Sequence, residues 1–151
     1  MARTASEIAA MAGVRGPVGT LSPELCWSTL EESGFGRLAV TLGDDVDIFP
    51  INFVVDGTKI YFRTAPGSKL DAVTQNSRVA VEVDGVDDTA AYSVVVKGRA
   101  ERLEAPSEIA KAEALDLKPW IPTLKLRWVR IQPAEVSGRA FHRGEEPQHY
   151  V

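Results

Sequence analysis

Arg63, Thr64, Ser68 and Lys69 bring two cations and two hydroxyls together around one short break in the chain. Such a group binds anions. Lys59 to Phe62 alternates as a strand, Ala65-Pro66-Gly67 interrupts it, and Ser68 with Asp71 three residues on is the capping-box spacing that opens a helix. The first N–H groups of a helix have no intrahelical acceptor, and the terminus carries partial positive charge, so the four side chains surround a ready set of donors. A phosphate monoester fits this nest, although a strand, a turn and a capped helix also make an ordinary connection. Gly-x-x-x-x-Gly-Lys and Gly-x-Gly-x-x-Gly are both absent, which disfavours a nucleoside triphosphate or a Rossmann-bound dinucleotide.

The elements that must hold this nest are mostly strands. Ser22-Pro23 caps and starts a helix over Glu24 to Glu32, closed by Gly34. Gly36 to Leu42 reads as a strand, Gly43-Asp44-Asp45 as a turn, and Val46 to Val55 as a long strand interrupted by Pro50. Asp56-Gly57 then turns a hairpin into Lys59 to Thr64. Proline cannot donate to a ladder, so Pro50 marks an edge kink or a bulge; a bulge would aim the backbone of Pro50, Ile51 and Asn52 at a ligand.

Further strands are expected over Arg78 to Asp84, Tyr92 to Leu103 and Leu124 to Ile131, with Gly98 marking a bulge or a close backbone approach. A second helix starts at Ala105-Pro106-Ser107, with Ser107 as cap, and a short segment surrounds Val136 to Arg139. The total is about six strands joined by hairpins or brief helices, the pattern of a mainly β, small antiparallel barrel with short helices. So narrow a barrel is filled by its own Val, Leu, Ile and Ala side chains, which places any cofactor outside it. A flat ring on that surface needs a second wall, and a two-fold homodimer supplies one.

Composition narrows the function classes. The chain has 151 residues, enough for one domain with a real core, and a net charge of −4 with no basic run interleaved with aromatics, which argues against nucleic acid. No span reaches the length of a membrane helix. Cys26 is the single cysteine, expected as packing within a helix, and the reading is of a reducing cytoplasm. His142 and His149, in a polar tail over residues 142–151, do not make a metal site. Residues 1–20 are expected as a mobile N-terminal arm.

Three stretches together resemble the pyridoxamine 5'-phosphate oxidase-like family of FMN-binding split barrels. They are Gly36-Arg37-Leu38-Ala39-Val40 leading to Phe49-Pro50-Ile51-Asn52-Phe53-Val54-Val55-Asp56-Gly57, then Tyr61 to Leu70, then Ser93-Val94-Val95-Val96-Lys97-Gly98-Arg99-Ala100. Trp128 to Pro133 with Val136 to Arg139 is similar to the closing strand of its actinobacterial-type members. The resemblance covers most of residues 21–141 and implies a six-stranded antiparallel split β-barrel that holds FMN in a groove between the subunits of a homodimer.

By that analogy Arg63, Thr64, Ser68 and Lys69 grip the phosphate, and the backbone around Pro50, Ile51, Asn52 and Phe53 meets the isoalloxazine. Lys97 or Arg99 supplies positive potential near the ring, or is a solvated strand residue. Trp120, between Pro119 and Pro122, either plugs the barrel end or lies against the flavin. The implied activity is that of an FMN-dependent oxidoreductase acting on a small molecule, with NAD(P)H as a candidate reductant. The alternatives are a flavin-binding storage or sensor module without turnover, and a deazaflavin or haem protein on the same barrel. The basic C-terminal substrate segment of the true oxidases has no counterpart here, which argues against vitamin B6 oxidation.

Overall fold

The computed structural model describes residues 2–73, 77–118, 127–146 and 148. Its elements, in chain order, are α1 (Ala5–Met11), β1 (Val18–Thr20), α2 (Pro23–Ser33), β2 (Phe35–Leu42), β3 (Asp45–Asn52), β4 (Val54–Asp56), β5 (Lys59–Thr64), α3 (Lys69–Val73), β6 (Ser77–Val86), β7 (Ala90–Arg102), α4 (Pro106–Glu113) and β8 (Arg127–His142). All strand pairs are antiparallel, in the order β3-β2-β6-β7-β8-β5-β4, with β1 added beside β8.

That order has a geometric consequence. β3 and β4 lie at opposite ends of it, yet Phe53 alone separates them in the chain. Two Cα steps span at most about 7.6 Å, so the two ends of the sheet must meet at this corner. The sheet is therefore rolled into a barrel. β3 and β4 do not pair with each other, so the barrel is split along that seam. Leu38, Val40, Ile60, Phe62, Val81, Val83, Val94, Val96, Val129 and Ile131 are almost wholly buried and fill its inside with aliphatic and aromatic side chains.

The expected antiparallel split barrel is present, with eight strands among the described residues rather than six. One extra strand comes from dividing the long segment at Phe53, whose N–H donates to Gly34 O at 2.9 Å and whose ring is buried. The other is β1. No bulge occurs at Pro50: the β2–β3 register runs unbroken from Phe35↔Asn52 to Leu42↔Asp45, and the proline lies on a strand with only one neighbour, the edge position it tolerates. The bulge falls instead between Lys97 and Gly98, where a Cβ on Gly98 would lie 2.1 Å from Gln132 O. The two C-terminal segments form one 16-residue strand, β8, and Leu124 to Leu126 lie outside the described residues. α4 begins at Pro106 with Ala105 at its N-cap, so Ser107 does not cap it.

α2 forms as its sequence dictates: Ser22 Oγ accepts from Leu25 N at 3.2 Å, and Gly34 takes the left-handed conformation (φ +64) that ends the helix. Its Cys26 is buried, which pushes the thiol pKa up and makes it packing rather than a nucleophile.

The stretch expected as a mobile arm is corrected. It carries α1, with a complete Thr4–Glu7 capping box, and β1, paired with Thr20↔Arg139 and its neighbours. Ala5, Ile8 and Ala9 are buried in the main core because α1 is amphipathic and lies on the barrel. The polar tail begins inside the fold: His142 ends β8 with its Nε2 3.0 Å from Val14 O, and the Arg143 guanidinium donates to Asp87 O at 2.8 Å. His149 lies outside the described residues.

Asp87 fastens α1. Its carboxylate accepts from Ser6 N (2.8 Å), Ser6 Oγ (2.7 Å), Thr89 N (3.0 Å) and Ala90 N (2.9 Å). These bonds, Ser6 Oγ foremost, hold its pKa far below the usual carboxylate range. A depressed carboxyl pKa contributes stability that is complete above the unfolded-state value of about 3.9 and is lost as pH falls below it. Asp87→Asn is expected to lower the melting temperature at neutral pH, with the gap to the unsubstituted protein closing below about pH 4. Melting curves across that range test it; a gap independent of pH would assign the effect to packing.

Candidate functional site

A cleft of ≈ 560 Å³ opens where the barrel is split, lined by Phe35, Phe49, Pro50, Ile51 and Asn52 on one side and Arg63, Thr64, Ala65, Ser68, Lys69 and Leu70 on the other. Its origin is the mismatch between β4 and β5. β4 pairs only with Lys59 to Tyr61, so Phe62 to Thr64 run past its end and face the last residues of β3 across the seam.

The turn after β5 is built by its own hydrogen bonds. Gly67 takes φ +77, a conformation that favours glycine. Ser68 Oγ donates to Ala65 O (2.7 Å) and accepts from Asp71 N (3.1 Å), while Asp71 Oδ2 accepts from Gly67 N (2.9 Å). The box spacing of Ser68 and Asp71 therefore acts as read, except that the returning bond reaches Gly67 rather than Ser68. Two consequences follow for anion binding. The Ser68 hydroxyl proton already has an acceptor, and α3 has five residues, too short for a strong macrodipole. The donors that count are the Arg63 and Lys69 side chains and the first-turn N–H groups of Lys69 and Leu70, which precede any i to i−4 acceptor.

Each expected phosphate residue is found at the cleft, in a definite state. Arg63 is half-buried with its guanidinium 5.3 Å above the Trp128 ring centroid, a cation–π contact that limits where it can point. Thr64 is buried, its Oγ1 donating to Asp71 Oδ1 at 3.4 Å. The Lys69 ammonium pairs with the Asp47 carboxylate of β3 across the cleft mouth, which raises the lysine pKa and lowers that of the aspartate. Both groups keep substantial solvent contact, so the pair is weak and an arriving anion can compete for the ammonium.

On the ring side, Pro50, Ile51 and Asn52 line the cleft and Phe53 does not, since its side chain faces the core and its N–H is bonded to Gly34 O. Asn52 Nδ2 donates to Lys118 O at 2.7 Å, which draws the chain after α4 to the cleft edge. Trp120 lies outside the described residues. Lys97 is not brought to this cleft: with Arg99 it lines a second one on the β6–β7 side of the barrel.

Sequence reasoning missed the aromatic walls, Phe35 and Phe49, and the base of the turn. Asp71 is 5% exposed and forms ion pairs with Arg102 Nε (3.6 Å) and Arg127 Nε (3.4 Å). The pairing Thr64↔Arg127 across β5 and β8 brings these groups together from far apart in the chain. A carboxylate so buried needs such partners, and the three ionised groups tie the turn to β7 and β8. No group of three or more His, Cys, Asp and Glu able to hold a metal occurs among the described residues, and no helix there is long and apolar enough to cross a membrane.

Residues 22–140 match the family model described as pyridoxamine 5'-phosphate oxidase. An uncharacterized protein of Mycobacterium tuberculosis (strain H37Rv) is 40% identical over 94 residues, 62% of this chain and 86% of that protein. Among solved structures, a conserved protein of unknown function from Corynebacterium diphtheriae is 44% identical with a TM-score of 0.72, over 83% of this chain and 99% of that one. The structure of the FAD binding protein from Mycobacterium smegmatis is 35% identical with a TM-score of 0.74, over 82% and 98%. The split barrel, the seam cleft and these matches agree: the chain belongs to the pyridoxamine 5'-phosphate oxidase family.

Proposed function

We propose that the seam cleft binds a flavin, as FMN, and that the chain is an FMN-dependent oxidoreductase working as a homodimer. The observation that carries this reading is the make-up of the cleft. Arg63, Lys69 and the helix-start N–H groups are suited to one phosphate, and Phe35, Phe49, Pro50, Ile51 and Leu70 give the same cleft apolar walls suited to a flat ring. The similar protein from M. smegmatis, named as FAD binding, supports a flavin and makes FAD the second reading. The compactness of the Arg63 to Lys69 turn favours the monophosphate.

A bound flavin supplies hydride or electron transfer, and the chain's residues then have positioning roles. Arg63 and Lys69 hold the phosphate end. The Asp71 pairs keep the turn in shape, and the Pro50 to Asn52 segment would hold the ring side of the flavin. NAD(P)H is the proposed reductant and a small molecule the oxidant. The rival function is a flavin store or sensor, and a deazaflavin or haem protein is the rival in cofactor. Rapid bleaching of bound flavin by NAD(P)H followed by reoxidation favours the enzyme; no bleaching favours the module.

The FMN reading predicts selectivity. Two or three charge-assisted hydrogen bonds to phosphate favour FMN over riboflavin by roughly a thousandfold. Lys69→Ala is expected to weaken FMN about tenfold or more while leaving riboflavin unchanged. Titrations followed by flavin fluorescence measure both, and equal loss for both ligands would place the phosphate elsewhere. Chromatography of the molecule released on denaturation separates FMN, FAD, deazaflavin and haem.

The homodimer is proposed on exposure. Val46 and Ile48 are 67% and 61% exposed on edge strand β3, whose far end lines the seam cleft, and form an apolar rim that a second copy would cover. Light scattering is expected to give twice 16.4 kDa with flavin bound, and Val46→Asp with Ile48→Asp to give the single-chain mass. A single-chain mass for the unsubstituted protein at micromolar concentration would overturn this.

A further inference from the structure

The second cleft, of ≈ 530 Å³, has a composition that the flavin reading does not use. Arg78, Lys97 and Arg99 stand around it, and its wall includes Ala39, Val40, Val46, Val79 and Ala80. The β6–β7 register sets Arg78 directly opposite Arg99, and Ala80 opposite Lys97. Side chains on opposite residues share a face of the sheet, and like charges placed this way destabilise it. The adjoining β2–β6 register pairs Ala39 with Ala80, so small side chains leave a trough beside the cations.

The rest of this face shows the ordinary solution to a strand arginine. Arg37, opposite Glu82, is bonded to Glu82 (2.7 Å) and Asp84 (3.1 Å). Arg78, Lys97 and Arg99 have no ion pair among the described residues, and Glu135, the carboxylate lining the same cleft, stands opposite Lys97 without pairing with it there. In a chain of net charge −4, three cations converge on a cavity with one carboxylate beside it. Apolar walls beside concentrated positive charge suit a ligand with an apolar body and an anionic head.

We propose that this cleft is a second ligand site, taking an organic anion whose carboxylate, sulfonate or phosphate head lies between Arg78, Lys97 and Arg99 and whose body rests in the trough at Ala39 and Ala80. The site is independent of which flavin, if any, occupies the seam. The head is held by charge-assisted hydrogen bonds, bidentate where a guanidinium faces two oxygens. Recognition is thereby specific for charge and tolerant of the shape of the body.

The test uses 8-anilinonaphthalene-1-sulfonate and its uncharged counterpart N-phenyl-1-naphthylamine, titrated calorimetrically into the full chain. Binding of the sulfonate is expected, weakened about tenfold or more by Arg78→Gln with Arg99→Gln and partly restored by the two Arg→Lys changes. The neutral amine should lose less than about twofold in the same variant, since the apolar wall is untouched. Lys69→Ala, at the other cleft, should leave the sulfonate unaffected while altering FMN binding, so the two readings succeed or fail separately. Absence of sulfonate binding, as when a second copy seals the cleft, overturns the proposal. So does a loss in Lys69→Ala rather than in the arginine variant, or equal losses for sulfonate and amine.

Discussion

The structure depends on one short link, Asn52-Phe53-Val54. A chain that leaves one end of a rolled sheet and re-enters at the other in a single residue forces those ends together. Phe53 fixes the corner twice, by its buried ring and by the N–H bond to Gly34 O. Gly34 is also the left-handed residue that ends α2, so the same residue stops the helix and receives the link. Because β4 is too short to follow β5 to its end, the ends that meet at the corner part again beyond it, and the cleft is the space between them.

This origin explains why the cleft joins unlike chemistries. Its β3 wall is the end of an edge strand, free to present apolar side chains and Pro50 because it has no further neighbour to pair with. Its other wall is the turn after β5, where the backbone leaves the ladder and its N–H groups must find other acceptors. Such a turn would be pliable by itself. Asp71 stiffens it by bonding Gly67 N and Thr64 Oγ1 and by ion pairs to Arg102 and Arg127 on neighbouring strands. Losing any one partner would leave charge in a region where water does not easily compensate it, which is why such groups act as a unit.

What was legible in the sequence was mostly local. Ser22-Pro23 with Gly34, Asp56-Gly57, and Ala65-Pro66-Gly67-Ser68 state backbone conformations through residues a few positions apart, and the structure has each of them. Arg63 to Lys69 and the Pro50 to Asn52 segment, each legible locally, line one cleft. What was not legible depended on register between distant strands. Nothing near Asp71 announces Arg102 and Arg127, and nothing near Lys97 says that it lines a different cleft from Arg63. Ala-rich composition suggested a loose arm over 1–20, whereas Thr4, Glu7 and Ser6 carry the capping and Asp87 contacts that dock it. Ser107 failed as a cap because Pro106 already takes the first helical position, leaving Ala105 outside it.

Edge strand β3 connects these points. An unpaired edge with Val46 and Ile48 in the open invites pairing with any other strand, a hazard that proteins reduce with proline and charge. Here Pro50 removes a donor from the edge, and Asp45 and Asp47 alternate with the exposed apolar residues. Those protective residues are also the ones that shape the cleft. Asp47 holds Lys69, Pro50 forms a wall, and the strand cannot be extended without disturbing both. An indiscriminate strand addition is thus opposed by charge and by the missing donor, whereas a surface contact that buries Val46 and Ile48 by their side chains, leaving the edge unpaired, is opposed by neither. The edge is thus guarded against a ladder while its apolar side chains stay in the open.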